Sequence, residues 1–423
     1  MSIKEDLLSI GQSGEDDYVE LLDSVQQLTD SKRELDQLVT VSDSLESLLR
    51  HVSSVKALTP EHADLIKVSC ENLLIGTHYD HTVLIPSLES SMGGTVSTEA
   101  LTDKLSALWK RIVSAVLSIL AALKRFWVKV STFKGRLEIS ATDLKKSASI
   151  ARNRPIKNPM VDVGFNARNL MIGNSVANDV EVMIRSVMLM CEQYKIVTNH
   201  YPKGMITVGT AYEGLLKRGT DDVRELLEEI CAAGTQLPFS VVATALHAMS
   251  YKDARFGSRQ IMIAPPQLGG FSLFVAIPDE PSRGLVGNEL LTMASNQRTA
   301  GLKFAQTDIS AQVPHNTTIR TASGQQVEAL AIKVLTLLKT LDDQESSRQV
   351  RRIDAQIKAV MSAAESFKSH PIIGEGNMVY SESILRFVRT YANWANGPID
   401  SMAIHMLTVA RALLIYGKKS LNQ

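Results

Sequence analysis

The chain is short of several things, and each shortage closes off a class. Its 423 residues include three cysteines, Cys70, Cys191 and Cys231. They lie far apart without Cys-x-x-Cys spacing, so neither a disulfide framework nor a zinc ribbon is indicated, and buried thiols in a reducing compartment are expected. Aromatic residues make up 5% of the chain, so the cores must rest on Leu, Ile, Val, Met and Ala. The longest charge-free, strongly apolar run is Ile112–Leu123, 12 residues, against the roughly 20 that span a bilayer as a helix. The opening MSIKEDLLSIGQSGEDD has no basic stretch leading into an apolar one, so it does not read as a secretory signal peptide. Catalytic signatures are lacking as well: there is no GxxxxGK(S/T) loop, GxGxxG turn, HExxH helix, GxSxG elbow or kinase motif set. His78-Tyr79-Asp80-His81 comes nearest to a ligand cluster, but nothing supplies its further ligands. No metal, no cofactor and no enzymatic chemistry is therefore expected. Apolar residues at 44% and charged ones at 21% are ordinary for globular proteins and exclude wholesale disorder and collagen-like repeats.

Net charge is lacking too, with 45 basic and 45 acidic residues. Resolved along the chain, the zero is a cancellation. Residues 1–100 carry 6 Lys/Arg and 18 Asp/Glu, a balance of −12. Residues 101–160 carry 13 and 3, a balance of +10, and the remaining 263 carry 26 and 24. An acidic arm, a basic segment and a near-neutral body point to interaction surfaces, unless the two charged parts simply pack together.

The acidic arm, 1–85, reads as helical. Leu21, Leu22, Val25, Leu28, Leu35, Leu38, Leu45, Leu48 and Val52 recur at steps of three, four and seven, as in an amphipathic helix or short coiled coil. Residues 86–99 contain Pro86, Gly93-Gly94 and several Ser, and read as a linker. Residues 100–160 form a basic amphipathic segment. On a helical wheel over 101–133, Trp109, Ile112, Val116, Leu120, Leu123, Phe126 and Trp127 share a broad apolar face. Lys110, Arg111, Lys124, Arg125 and Lys129 lie mostly opposite, and Lys134 and Arg136 extend the basic side. Such a helix can pack in a core, meet a partner protein, lie at a membrane interface or face a polyanion. Lys145, Lys146, Arg152, Arg154 and Lys157 keep the segment basic up to Arg154-Pro155 and Asn158-Pro159, which break any helix.

Residues 161–324 read as an α/β core domain. A Met- and Val-rich helix is expected over 165–200, ending at Asn199-His200-Tyr201-Pro202, then a β-like run at Met205–Val208 and a helix over Asp221–Ala232. The clearest hairpin is 259–277, with arms Arg259–Ala264 and Phe271–Ile277 around Pro265-Pro266-Gln267-Leu268-Gly269-Gly270; Leu302–Ile309 is a further candidate strand. His247 and His405 sit in apolar helical contexts and read as core histidines, and the pairs Asp221-Asp222 and Asp342-Asp343 as solvated or capping residues. Residues 325–423 read as a C-terminal helical hairpin: a helix of about 40 residues over Gln325–Ala364, a turn at Ser369–Asn377, and a return helix Ser381–Gly417 with a kink at Gly397-Pro398. The fold class is mainly α (α+β), with long amphipathic helices and a C-terminal hairpin around a small α/β unit.

In this order of parts, with the helix LWKRIVSAVLSILAALKRFWVKV and the hairpin SRQIMIAPPQLGGFSLFVAI, the chain resembles the internal head or virion structural proteins of large contractile-tailed and giant bacteriophages. The resemblance spans the chain by organisation and transfers no catalytic residue. It implies a non-enzymatic virion component, made in the host cytoplasm and packaged inside the head with other virion proteins and DNA. It also implies trimming by a maturation protease that favours a small residue two positions before a Glu and cuts after it. Ser13-Gly14-Glu15, Ser87-Leu88-Glu89 and Ser97-Thr98-Glu99 fit, and Glu89 and Glu99 lie in the linker, where exposed loops are readily cut. Removing the arm leaves a product of net charge about +12. Two alternatives stay open: a membrane-active protein working through 101–133, and a coiled-coil scaffold or adaptor that oligomerises through its helices.

Overall fold

A computed structural model describes residues 131–423, apart from 174, 219–221, 253–260, 279–283, 308–316, 342–343 and 369–377. The chain divides into two units, Met1–Phe133 and Lys134–Gln423, and the second is the one described below. The division falls inside the stretch read from sequence as 100–160.

Of the described residues 68% are helical, so the mainly α reading holds. Helix α1 occupies 131–150 and ends in a turn at 151–153, just before Arg154-Pro155. Strand β1 (Met160–Asp162), a 3-10 helix (Gly164–Leu170) and the short pair β2 (Met171–Ile172) and β3 (Ser175–Val176) follow. Helix α2 then runs over Val180–Arg218, 39 residues and roughly 58 Å at 1.5 Å per residue. The helix expected over 165–200 is thus corrected at both ends, and the β-like run at Met205–Val208 is helical.

The cause lies at Pro202. An interior proline costs a helix about 3 kcal/mol, since it lacks the N–H and crowds the preceding turn. Here Val197, Tyr201, Met205, Val208, Tyr212 and Leu216 continue a buried stripe at steps of three and four straight through it. The Tyr201 hydroxyl, next to the proline, donates to the Trp394 carbonyl at 2.5 Å, and the Tyr391 hydroxyl donates to the Met205 carbonyl at 2.9 Å. Burial of that stripe outweighs the proline.

Helix α3 (Val223–Gly234) starts where sequence placed it. The Asp222 carboxylate caps it, accepting from the N–H groups of Arg224 and Glu225 at 2.9 and 3.2 Å. Helix α4 (Phe239–Ala245) leads through His247, exposed and at φ 50°, into β4 (Met249–Tyr251). His247 is therefore a helix-ending surface residue and not a core histidine. β5 (Ile261–Ile263) and β6 (Phe271–Ala276) form the expected hairpin, with Ile261 opposite Ala276 and Ile263 opposite Phe274. After α5 (Asn288–Arg298), β7 (Gly301–Gln306) completes an antiparallel sheet of order β4-β5-β6-β7. β8 (Thr318–Arg320) returns to pair with β1.

Four helices close the chain: α6 (Gly324–Thr340), α7 (Gln344–Lys368), α8 (Met378–Asn396) and α9 (Ile399–Leu421). Each expected long arm is thus broken once. α6 begins with a capping box of Ser323 and Gln326 and ends before Asp342-Asp343, acids that oppose a helix C-terminus and favour the start of the next helix. The second break falls at Gly397, φ 44°, beside Pro398, where the kink was expected. The expected turn 369–377 lies outside the described residues. α6 packs on α9 and α7 on α8, as in a hairpin, and α2 runs against both α6 and α7. Tyr212, Phe387 and Tyr391 meet edge-on within the core, with ring centroids 5.8 to 6.3 Å apart.

Candidate interaction surface

Two features of the described unit bear on function: the basic surface begun by α1, and the polar anchor that seats the β5–β6 hairpin among the helices. In α1, Leu137, Ala141, Leu144 and Ala148 are buried at helical spacing, followed by Ala151 in the turn. Leu144 lies against Gly417 of α9, where an added Cβ would come within 2.8 Å of it, and the Ala151 carbonyl lies against Gly324 at the start of α6. Two glycines thus let α1 sit close to the helical hairpin. With one side of α1 buried, Arg136, Lys145 and Lys146 face solvent, and Arg152, Arg154 and Lys157 follow in the exposed stretch after it. This side is not uniformly basic: Ile139 and Ile150 stand 65% and 78% exposed on it.

Of the site residues named from sequence, only two are described. Lys134 is buried, with its Nζ 3.4 Å from Glu138, and Arg136 is exposed. Trp109, Ile112, Val116, Leu120, Leu123, Phe126 and Trp127 lie outside the described residues, as do Lys110, Arg111, Lys124, Arg125, Lys129, Glu89 and Glu99. So do Cys70, the His78–His81 cluster, Asp221, Asp342 and Asp343. Cys191 and Cys231 are buried free thiols, as expected. Burial raises both, the Cys231 thiol to about 12, so neither is a ready nucleophile. Among the described residues no group of three or more His, Cys, Asp or Glu could hold a metal.

Folding adds basic residues that sequence did not connect. The Lys157 N–H donates to the Gln423 carbonyl at 2.8 Å, which brings the end of α9, with Lys418 and Lys419, beside the basic segment. Lys419 Nζ donates to the Asp162 carbonyl at 2.9 Å. Arg320 sits opposite Met160 in the β1–β8 pair, and its carbonyl accepts from the Tyr416 hydroxyl at 2.8 Å. Nearby carboxylates answer part of this charge. Glu328 accepts from Arg152 Nη2 at 2.8 Å. The Thr317 hydroxyl and the Gly164 N–H hold the Asp162 carboxyl below its ordinary range, so it stays ionised. No local signal tied Arg320 or Lys418 to the basic segment, because the lysines also read as compensation for a helix C-terminus.

The hairpin is held by a buried polar set. Gln267 donates its side-chain amide to Gln193 Oε1 on α2, whose own Nε2 donates to the Pro265 carbonyl at 3.0 Å. The Leu268 N–H donates to the Ser186 hydroxyl at 3.0 Å. From the other side, His405 Nε2 donates to the Leu268 carbonyl at 2.6 Å, which fixes the Nε2–H tautomer. The His405 ring lies against Phe271 and Phe304, with centroids 4.5 and 5.2 Å away. His405 is thus the satisfied core histidine expected from sequence. Every buried donor and acceptor named here has a protein partner, so this is an anchor, with nothing left over for a ligand.

α9 is long and apolar enough to cross a membrane, with mean hydropathy 1.4, yet 67% of that window is buried inside the protein. It is a core helix.

A family model, phiKZ-like phage internal head proteins, matches residues 14–419. The chain belongs to this family. The match covers residues assigned from sequence to the arm, the linker, the basic segment and the helical unit alike. Membership makes the chain a structural protein inside the phage virion head, among other virion components. No curated protein and no solved structure matches.

Proposed function

We propose that this internal head protein is a non-enzymatic packing component that meets the packaged DNA through its basic segment, and that its acidic arm weakens this contact until it is cut away in the 86–99 linker, after Glu89 or Glu99. The observation that carries the reading is the charge split, −12 over residues 1–100 against +10 over 101–160, in a protein of the head interior. An anionic arm tethered to a cationic surface competes with DNA at high effective concentration, and each phosphate neutralised by Lys or Arg releases counterions. A second reading, membrane action, rests on Trp109 and Trp127 near the two ends of the apolar face of 101–133.

The test is a full chain carrying an engineered protease site in the linker, measured before and after cutting and separation from the arm. At low salt the cut protein is expected to bind short duplex DNA at least ~10-fold more tightly, with a steeper loss of affinity as salt rises. Equal affinity before and after cutting removes the masking role. Dye release from anionic vesicles without duplex binding favours the second reading.

A further inference from the structure

The basic segment does not end where its sequence ends. Around the exit of α1, three separate parts of the chain bring their charges to one end of the unit. Arg152, Arg154 and Lys157 come from the stretch after α1, Arg320 from β8, and Lys418 and Lys419 from the last turn of α9. The junctions are direct. Lys157 is tied to Gln423, Lys419 to Asp162, and Arg320 to Tyr416 and Met160, by the bonds given above. The Ala322 N–H donates to Ser420 Oγ at 3.2 Å, and the Thr321 N–H to the Pro159 carbonyl at 2.8 Å, so the three parts form one hydrogen-bonded platform. All six side chains are exposed.

We infer that this composite end of the helical unit is a contact surface for the phosphate backbone of duplex DNA, in which Arg320 and Lys418 act together with Arg152, Arg154 and Lys157. The inference rests on the DNA contact proposed above. The Glu328, Asp162 and Asp179 carboxylates are each hydrogen-bonded within the protein, while Asp162 keeps its charge. Glu328 pairs with Arg152, Asp162 accepts from Thr317 and Gly164, and Asp179 accepts from the Glu181 N–H at the start of α2. Arg154, Lys157, Arg320 and Lys418 have no ion-pair partner among the described residues.

The polar surroundings suit a sugar–phosphate backbone. Asn153, Asn158 and Asn422 are exposed between the cations, and amide donors beside Lys and Arg are what phosphate contacts use. Ile156, Met160 and Phe165 are exposed beside the cations, at 44%, 39% and 64%, and the six clustered positive charges mark the partner as a polyanion. The cations also sit on backbone tied across three segments, so little ordering is required when they meet a stiff partner. Inside a phage head the stiff polyanion at hand is the duplex genome.

The test uses the full chain with the engineered linker site, before and after cutting and removal of the arm, and short blunt duplex DNA, with affinity followed as salt is raised from low to physiological. The double variant Arg320→Gln/Lys418→Gln removes two cations that lie outside the basic segment. The control Lys203→Gln/Lys339→Gln removes the same charge from exposed positions on α2 and α6. Each lost phosphate contact lowers the slope of log affinity against log salt by about 0.9, so the first variant is expected to lose ~1.8 and the control nothing. Arg320→Lys/Lys418→Arg, which keeps the charge, is expected to keep the slope, and it separates lost charge from disturbed folding. Equal slopes for the double variant, the control and the parent chain overturn this inference and leave the general DNA contact standing. A chain that binds no duplex at low salt either before or after the linker cut overturns both.

Discussion

Gly269→Val is expected to lower the stability of the helical unit by about 3–5 kcal/mol, through backbone strain and core collision together. Gly269 sits at φ 84°, where a β-branched residue is strongly disfavoured. A Cβ built there lies 2.4 Å from His405 Cε1 and 3.1 Å from Nε2. The ring cannot retreat, since it is bonded to Leu268 and lies against Phe271 and Phe304. The Gly269 N–H also donates to the Met171 carbonyl at 2.7 Å, so the turn cannot shift without unseating β2. Gly173→Val is the comparison. It too has positive φ, 57°, but meets nothing within 4 Å, so it reports strain alone. Thermal unfolding of both variants separates the two costs, and Gly269→Val is expected to melt well below Gly173→Val. Equal melting would mean that the hairpin tip is not wedged against α9.

The same contact makes stability depend on pH. Burial lowers the His405 imidazole from 6.5 to about 4, against the opposing pull of the Leu268 carbonyl. The unfolded chain therefore takes up a proton near its ordinary value while the native protein resists until about 4. Between those values the unfolded state binds more protons, so stability rises with pH across the window. The contribution is present in full above 6.5 and is lost as pH falls towards 4, by up to ~3 kcal/mol. Thr317 and Gly164 lower the Asp162 carboxyl, and Lys217 and Gln356 lower that of Glu213, from their ordinary values of 3.8 and 4.5. Their losses therefore fall further down the acid range. Denaturant midpoints of the parent and of His405→Gln, compared near neutrality and near pH ~4.5, isolate the histidine. The parent is expected to lose more stability than the variant over that interval, and parallel losses would show that His405 is not the titrating group.

Much of this was legible in the sequence wherever local chemistry and tertiary packing agree. The β5–β6 hairpin has β-branched and aromatic arms around a Pro/Gly turn. Asp222 caps α3 as its position suggested, and Gly397-Pro398 breaks the last arm. The reading failed where packing outvotes local signals. Asn199-His200-Tyr201-Pro202 carries every mark of a helix end, yet the stripe Val197-Tyr201-Met205-Val208-Tyr212 is buried continuously against the C-terminal helices. His247 failed in the opposite sense: its apolar neighbours Val242, Ala243 and Leu246 are buried, but the residue itself turns the chain outward at positive φ. For the candidate surface, the segment charge was readable by counting. The joining of Arg320 and Lys418 to Lys157 was not, because those contacts link residues from 96 to more than 250 positions apart.

In the masking role proposed above, the acidic arm belongs to assembly and the basic remainder to the finished head. Peptide mapping of purified mature particles by mass spectrometry tests it most directly. Such particles are expected to yield abundant peptides from 134–423, a new N-terminus immediately after Glu89 or Glu99, and no peptides from 1–86. An intact chain retaining Met1 in mature particles would contradict it.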